Sequence, residues 1–96
     1  MKVLVKIPAP LRQYTSNQKE IEVTTSSNTV KDVIIELTNH YPELKTRLLD
    51  ETGSLRKFLT IFLNNSNLRD IGGETAQVKD GDIITILPAI AGGKTK

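Results

Sequence analysis

Residues 79–93, KDGDIITILPAIAGG, are the stretch that decides the fold. The DGD triplet is typical of a tight turn, and the apolar run Ile83–Leu87 after it predicts a β-strand. Pro88 ends the run because proline lacks the amide that a sheet requires. Small residues and the pair Gly92-Gly93 follow. Their side chains could bury little apolar area in a core, whereas fixing their backbone would cost much conformational entropy. The sequence therefore predicts a last strand that leads into a flexible tail suited to entering another protein.

Length and composition indicate one small domain. In a chain of 96 residues we expect a domain over 1–88 and a tail over 89–96. The absence of cysteine excludes a disulfide scaffold, a thiolate metal site and a cysteine nucleophile. No apolar run is long enough to span a membrane, and the N-terminus does not form a signal-peptide block. We therefore expect a cytoplasmic protein with no membrane partner.

The formal net charge of +2 is carried by the tail, because Lys94 and Lys96 account for it and the preceding residues are formally neutral. The chain has only four aromatic side chains, Tyr14, Tyr41, Phe58 and Phe62. They are too few for a platform on which bases stack. A nucleic-acid partner is therefore not expected.

The first half of the chain predicts a hairpin followed by a helix. Val3, Val5 and Ile7 recur at every second position, which predicts a half-buried strand, and Glu20–Thr24 predicts another. A polar loop over 11–17 is expected to join them. Next, Thr29-Val30-Lys31-Asp32 fits a capping box at the start of an amphipathic helix that Pro42 ends. The apolar face of this helix consists of Val30, Val33, Ile34, Leu37 and Tyr41.

The second half predicts a short second helix, from Leu44 and Leu48, and then more strands. Residues 58–63 form a β-rich run that an asparagine-rich turn closes, and 68–71 predict a short edge strand. One main helix must then cover one face of a mixed, four- to five-stranded sheet, an α+β architecture. The sheet residues expected in the core are Val3, Val5, Ile7, Ile21, Val23, Leu59, Ile61, Leu63, Ile84 and Ile86.

This order of elements resembles the β-grasp, or ubiquitin-like, fold, and the motifs resemble the MoaD/ThiS family of sulfur carriers. Three stretches carry the likeness: 2–11, a strand closed by prolines; 58–64, a strand ending in asparagine; and 79–93, with its turn, strand, proline and diglycine. The segments 41–44 and 47–50 look most like the cysteine-biosynthesis branch of these carriers. Archaeal ubiquitin-like modifiers share the same pattern.

The resemblance implies chemistry at Gly93, preceded by Gly92. A partner enzyme adenylates the terminal glycine carboxylate with ATP, and sulfide or a persulfide displaces AMP. The resulting thiocarboxylate gives its sulfur to an accepting enzyme, so the carrier is not itself an enzyme and binds no cofactor. In the modifier branch a substrate lysine attacks instead, and an isopeptide forms. Cysteine, thiamine, molybdopterin and thiolated tRNA are all open as destinations of the sulfur.

The extension Lys94-Thr95-Lys96 departs from the family, whose members usually stop at the second glycine. An internal Gly93 carbonyl is an amide and cannot be adenylated as a carboxylate. We therefore expect a processing protease to remove these three residues before activation.

The expected partner surface lies on the face of the sheet that the helix leaves open. Phe58, Phe62 and Leu87 are predicted to point there and to dock the activating enzyme, because large apolar side chains on an open face normally mark an interface. Ile90 and Ala91 are expected to continue this contact along the tail.

Several motifs have plainer interpretations. Residues 92–95, GGKT, imitate the end of a phosphate-binding loop, but Pro88 stands where that loop needs glycine. His40 is expected to be a surface residue near a helix end, and Asp80 and Asp82 are expected to be turn residues and not metal ligands. A function of another class, a non-catalytic interaction module with an inert tail, is the remaining alternative.

Overall fold

Alternating apolar residues build a five-stranded sheet with one covered face. The computed structural model describes residues 1–26, 28–57 and 59–87. The strands are β1 (Lys2–Lys6), β2 (Glu20–Thr24), β3 (Thr60–Leu63), β4 (Ser66–Asn67) and β5 (Ile83–Leu87). Their order across the sheet is β2-β1-β5-β3-β4. The last strand in the sequence is therefore the central strand of the sheet.

The pairing of β5 makes the sheet mixed, as predicted. It runs parallel to β1, with Val5 opposite Ile84, and antiparallel to β3, with Ile61 opposite Ile86. β1 and β2 form the expected antiparallel hairpin. A parallel pair needs a long crossover connection, and here the connection from β1 to β5 contains β2, the helical middle of the chain, β3 and β4.

The main helix, α1 (Val30–His40), begins and ends where the sequence predicts. The Thr29 hydroxyl oxygen accepts a hydrogen bond from the Asp32 amide at 3.2 Å, and the hydroxyl donates to the Asp32 carboxylate at 2.7 Å. Pro42 follows and opens a 3₁₀ turn, Pro42–Leu44, which continues into the short helix α2 (Lys45–Leu48). The second helix is therefore confirmed.

The segment predicted as a polar loop between β1 and β2 is instead partly helical. Residues Ala9–Tyr14 form a 3₁₀ helix with a proline in its first turn. Proline fixes φ near the helical value, which favours such a turn. Leu11 and Tyr14 are partly buried against the core, so this connection packs on the domain.

The prediction of an edge strand over 68–71 is wrong, because the strand lies a few positions earlier in the sequence. The strand β4 is Ser66–Asn67, and Leu68–Asp70 forms a 3₁₀ turn. The Asn67 side chain accepts a hydrogen bond from the Arg69 amide at 3.0 Å, which favours a turn over an extended chain. Leu68 is buried beneath this turn.

The core lies between α1 and the sheet face towards it. Of the sheet residues expected there, all but Ile21 are buried, and Ile21 is partly buried at the β2 edge. The helix contributes Val30, Val33, Ile34 and Leu37, all fully buried, while Tyr41 packs against the core partly exposed. Within the described residues, no helix is long and apolar enough to cross a membrane.

Replacement of Thr29 by alanine tests the helix cap. Thr29→Ala removes the acceptor for the Asp32 amide and should lower the free energy of unfolding by about 1 kcal/mol. Thr29→Ser keeps the hydroxyl oxygen and is the matched control. Urea denaturation followed by circular dichroism measures both variants, and equal stability of the two would contradict a capping role for Thr29.

Lowering the pH should weaken the turn after α2. The pKa of the Asp50 carboxyl is held below its ordinary value, chiefly because the Thr52 hydroxyl and amide donate to it at 2.6 and 2.8 Å, with the Ser54 amide and the Arg56 charge contributing less. A lowered folded-state pKa stabilises the fold above the ordinary carboxyl pKa, and this stabilisation is lost as the pH falls through the folded-state value. The stability difference between the wild type and Asp50→Asn should therefore shrink on acidification.

Urea denaturation at a series of pH values measures that difference. The control Glu51→Gln removes one negative charge from the same exposed turn and reports the effect of charge alone. A difference between the wild type and Asp50→Asn that does not change with pH would rule out the role given to Asp50.

Candidate functional site

The chain leaves the sheet at its centre. Leu87, the last residue of β5, is opposite Thr60 on β3, and β1 flanks β5 on the other side. The tail predicted as the reactive segment, residues 89–96, begins two residues later. Its predicted functional residues, Ile90, Ala91, Gly92 and Gly93, lie outside the described residues, as does the predicted docking residue Phe58.

The turn before β5 sets where that strand begins. Gly81 has φ 89°, a value that favours glycine, and its amide donates to the Lys2 carbonyl at 2.8 Å. Asp80 accepts from the Lys2 amide at 2.7 Å, and Asp82 accepts from the Lys79 amide at 2.8 Å. Both aspartates therefore serve the backbone, as expected of turn residues.

Asn64 joins this turn to β3. Its side chain donates to the Asp82 carboxylate at 3.1 Å and accepts from the Ile83 amide at 3.0 Å. Its own φ is 56°, the left-handed region that asparagine tolerates. The asparagine after β3 thus closes the β3–β4 turn and also fixes the start of the last strand.

Two of the three predicted docking residues share the helix-free face, the side of the sheet away from α1. The register places Phe62 opposite Thr85 and Thr60 opposite Leu87. These two cross-strand pairs are neighbours on the same face, because side chains two residues apart on a strand point the same way. Leu87 is 43% exposed and Phe62 is partly buried. Together they form an apolar surface beside the point where the chain leaves the sheet.

The same face carries two apolar residues that the sequence analysis did not assign to the site. Leu4 is opposite Ile83 in the parallel pair, and both are partly buried. The alternation of each strand shows which way these side chains point, but only the pairing of β1 with β5 brings them together. We call Leu4, Phe62, Ile83 and Leu87 the apolar surface.

The titratable groups of the described residues offer no catalytic arrangement near this surface. His40 is exposed at the last position of α1 and pairs with Glu36 at 3.3 Å. Among the described residues, no three acidic or histidine side chains come together to hold a metal ion. The resemblance of GGKT to a phosphate-binding loop concerns residues outside the described ranges.

Comparison with known proteins places the chain among ubiquitin-like carriers. A model of the ThiS family matches residues 5–93. The sulfur carrier protein CysO of Mycobacterium tuberculosis is 41% identical over 95 residues, which cover 97% of this chain and 100% of that protein.

Solved structures agree with this placement. A chain in the crystal structure of the Amycolatopsis orientalis BexX/CysO complex is 40% identical, with a TM-score of 0.84 over 95% of this chain and 99% of that one. The small archaeal modifier protein 1 of Methanosarcina acetivorans is 34% identical, with a TM-score of 0.81 over 96% of each chain. The predicted β-grasp fold is therefore confirmed, and the chain belongs to the ThiS family of ubiquitin-like sulfur carriers.

Proposed function

We propose that this chain is a sulfur carrier protein that acts through a thiocarboxylate on Gly93. The observation that carries the proposal is the identity of 41% to a sulfur carrier over the full length of that relative, together with a family match that reaches residue 93. The carrier is a protein cosubstrate and not an enzyme. The segments 41–44 and 47–50 favour cysteine biosynthesis as the destination of the sulfur.

The proposed reaction needs a partner enzyme, because a free carboxylate is a poor electrophile. A carboxylate oxygen of Gly93 attacks the α-phosphorus of ATP held by the partner, and pyrophosphate leaves. Hydrosulfide then attacks the acyl carbon, and AMP leaves with the electron pair of the broken bond. The carrier contributes the carboxylate, and ATP is bound and consumed by the adenylating enzyme.

The position of Leu87 supports delivery of Gly93 into such an enzyme. The six residues from Pro88 to the reactive Gly93 follow the end of β5, and in extended form they reach about 20 Å. Glycine has no Cβ, so Gly92 and Gly93 can pass through a channel too narrow for other residues. The domain stays outside while the carboxylate reaches the nucleotide.

Removal of Lys94, Thr95 and Lys96 must precede adenylation, and we assign it to a processing protease. The family match ends at residue 93, which supports Gly93 as the residue that must become terminal. The intact mass of the protein isolated from its native host tests this step. An active thiocarboxylate that retains the three residues would refute it.

Incubation with ATP, sulfide and the adenylating enzyme of the same host tests the carrier function. The chain ending at Gly93 should gain the mass difference between sulfur and oxygen, as measured by intact mass spectrometry. Gly93→Pro should abolish the gain, because the ring adds bulk and fixes φ where the channel requires glycine. No mass change in the wild-type chain would contradict the proposal.

The apolar surface is the proposed contact with the adenylating enzyme, continued by Phe58, Ile90 and Ala91. In the A. orientalis complex a CysO protein is bound to BexX, which supports a stable protein partner here. Leu87→Ala and Phe62→Ala should each raise the Kd of the complex about tenfold, since a buried apolar anchor contributes 1 kcal/mol or more. Calorimetric titration measures the Kd.

Ile71→Ala is the matched control for Leu87→Ala. Ile71 is 39% exposed, close to the 43% of Leu87, but it follows the 3₁₀ turn and lies outside the apolar surface. Its replacement should leave the Kd unchanged. Equal effects of the Ile71 and Leu87 replacements would remove the case for the apolar surface.

Conjugation to proteins is the second candidate function, favoured by the 34% identity to an archaeal modifier protein. In that case a lysine amine, and not hydrosulfide, attacks the activated Gly93. A diglycine remnant on lysines of host proteins after trypsin digestion would identify it. Neither remnant nor thiocarboxylate would be formed by an interaction module with an inert tail.

A further inference from the structure

A groove lined by cationic side chains lies on the side of β3 opposite the apolar surface. One cavity of about 400 Å³ is lined by Lys57, Leu68 and Arg69, among others. A second, of about 290 Å³, is lined by Tyr14 and Arg47. Both cavities are lined by Arg56 and Leu59, so they are neighbours on the surface. We call the two cavities together the basic groove, defined by Arg47, Arg56, Lys57 and Arg69 around Leu59 and Leu68.

The arginines of the basic groove are held in place by uncharged oxygens. Arg56 Nε donates to the Thr46 carbonyl at 2.7 Å, and Arg69 Nη2 donates to the Lys57 carbonyl at 3.3 Å. The Arg47 guanidinium lies 4.0 Å from the centre of the Tyr14 ring and donates to the Tyr14 hydroxyl at 2.5 Å. Such contacts order a guanidinium without cancelling its charge.

Acidic side chains close to the groove interact with groups other than Arg47 and Arg69; Asp50 interacts with Arg56, whose charge helps to lower the pKa of that carboxyl. Glu74 lines it, but one oxygen is 3.6 Å from Lys31 Nζ and the other accepts from the Leu55 amide at 2.9 Å. Asp50, near Arg56, accepts from the backbone and hydroxyl groups of its own turn. Within the part of the chain that the structure describes, neither Arg47 nor Arg69 takes part in an ion pair. Arg47 and Arg69 therefore keep their positive charge at the groove.

The groove borders the point where the chain leaves the sheet. Thr60 is opposite Leu87, and Lys57 and Leu59 come just before Thr60 in the sequence. An enzyme that encloses residues 88–93 in a channel is expected to contact the surface next to Leu87. The apolar surface borders Leu87 on one side of β3, and the groove residues Lys57 and Leu59 lead into Thr60, its partner in the sheet.

We propose that the basic groove binds an acidic segment of the adenylating enzyme. Carboxylates of that segment pair with Arg47 and Arg69, where a guanidinium can donate two parallel hydrogen bonds. This inference rests on the proposed function and names a second contact that the activating partner makes. Nucleic acid fits the groove less well, because Tyr14, the one aromatic ring among the described residues that line it, is covered by Arg47.

Charge reversal tests the proposal in the adenylation assay. The chain ending at Gly93 is given to the adenylating enzyme of the same host, and ATP–pyrophosphate exchange is measured against carrier concentration. Arg47→Glu/Arg69→Glu should raise the KM for the carrier about tenfold while kcat is nearly unchanged, because complementary charges act on association. Added salt should reduce the difference in KM between this variant and the wild type, because salt screens the charges.

The matched control is Lys19→Glu/Lys79→Glu, which changes the net charge equally at two exposed lysines outside the groove. Its KM should stay close to that of the wild type. Because Arg47 also packs on Tyr14, Lys57→Glu provides a second variant at an exposed side chain of the groove, and thermal unfolding checks that each variant is folded. Equal KM values for the groove variants and the control would overturn the proposal.

The remaining outcomes are also decisive. If the wild-type chain is never adenylated, the proposed function fails and this inference fails with it. If the wild type is adenylated and only the groove variants bind more weakly, both stand. A single-stranded oligonucleotide, titrated by fluorescence anisotropy, is the competing probe. Oligonucleotide binding that the groove variants lose, with unchanged adenylation kinetics, would assign the groove to nucleic acid and overturn the proposal.

Discussion

The parallel pairing of β1 with β5 is the constraint on which the rest of the structure depends. It joins the first strand of the chain to the last and places the last strand at the centre of the sheet. The turn at residues 79–82 fixes its register through the Lys2 amide and carbonyl, and Asn64 fixes it from the other side. The exit point of the tail and the apolar surface both follow from the position of β5.

The sequence predicts the parts of this fold that depend on local pattern. The structure confirms the alternating strands β1 and β2, the apolar strand β5, the cap at Thr29 and the stop at Pro42, and each has a short-range physical cause. The 3₁₀ helix at Ala9–Tyr14 was not predicted because the proline in its first turn is only part of its cause, and the packing of Leu11 and Tyr14 on a distant core is the rest. The edge strand was misplaced because the Asn67 side chain, and not strand propensity, decides the conformation of the residues after it.

The residues of the candidate site also fall into those that the sequence assigns and those that only the fold brings together. Phe62 and Leu87 could be assigned to one face from alternation alone, whereas Leu4 and Ile83 needed the pairing of β1 with β5. The cationic residues of the groove are scattered from position 47 to 69, and only the fold brings them together. The residues before the tail have no formal net charge, so composition did not indicate this cluster. Acidic residues elsewhere offset its charge in the sum, among them the exposed Glu20 and Glu22 on β2 at the opposite edge of the sheet.

The central position of β5 also has a mechanical consequence. β1 and β5 are parallel neighbours, so a force applied between the N-terminus and the tail pulls them in opposite directions along their length. The hydrogen bonds between the two strands then bear the load together and do not open one after another, as they would in a peeled hairpin. An enzyme that binds the tail can therefore exert a pulling force on it while the domain remains folded at the entrance of the channel.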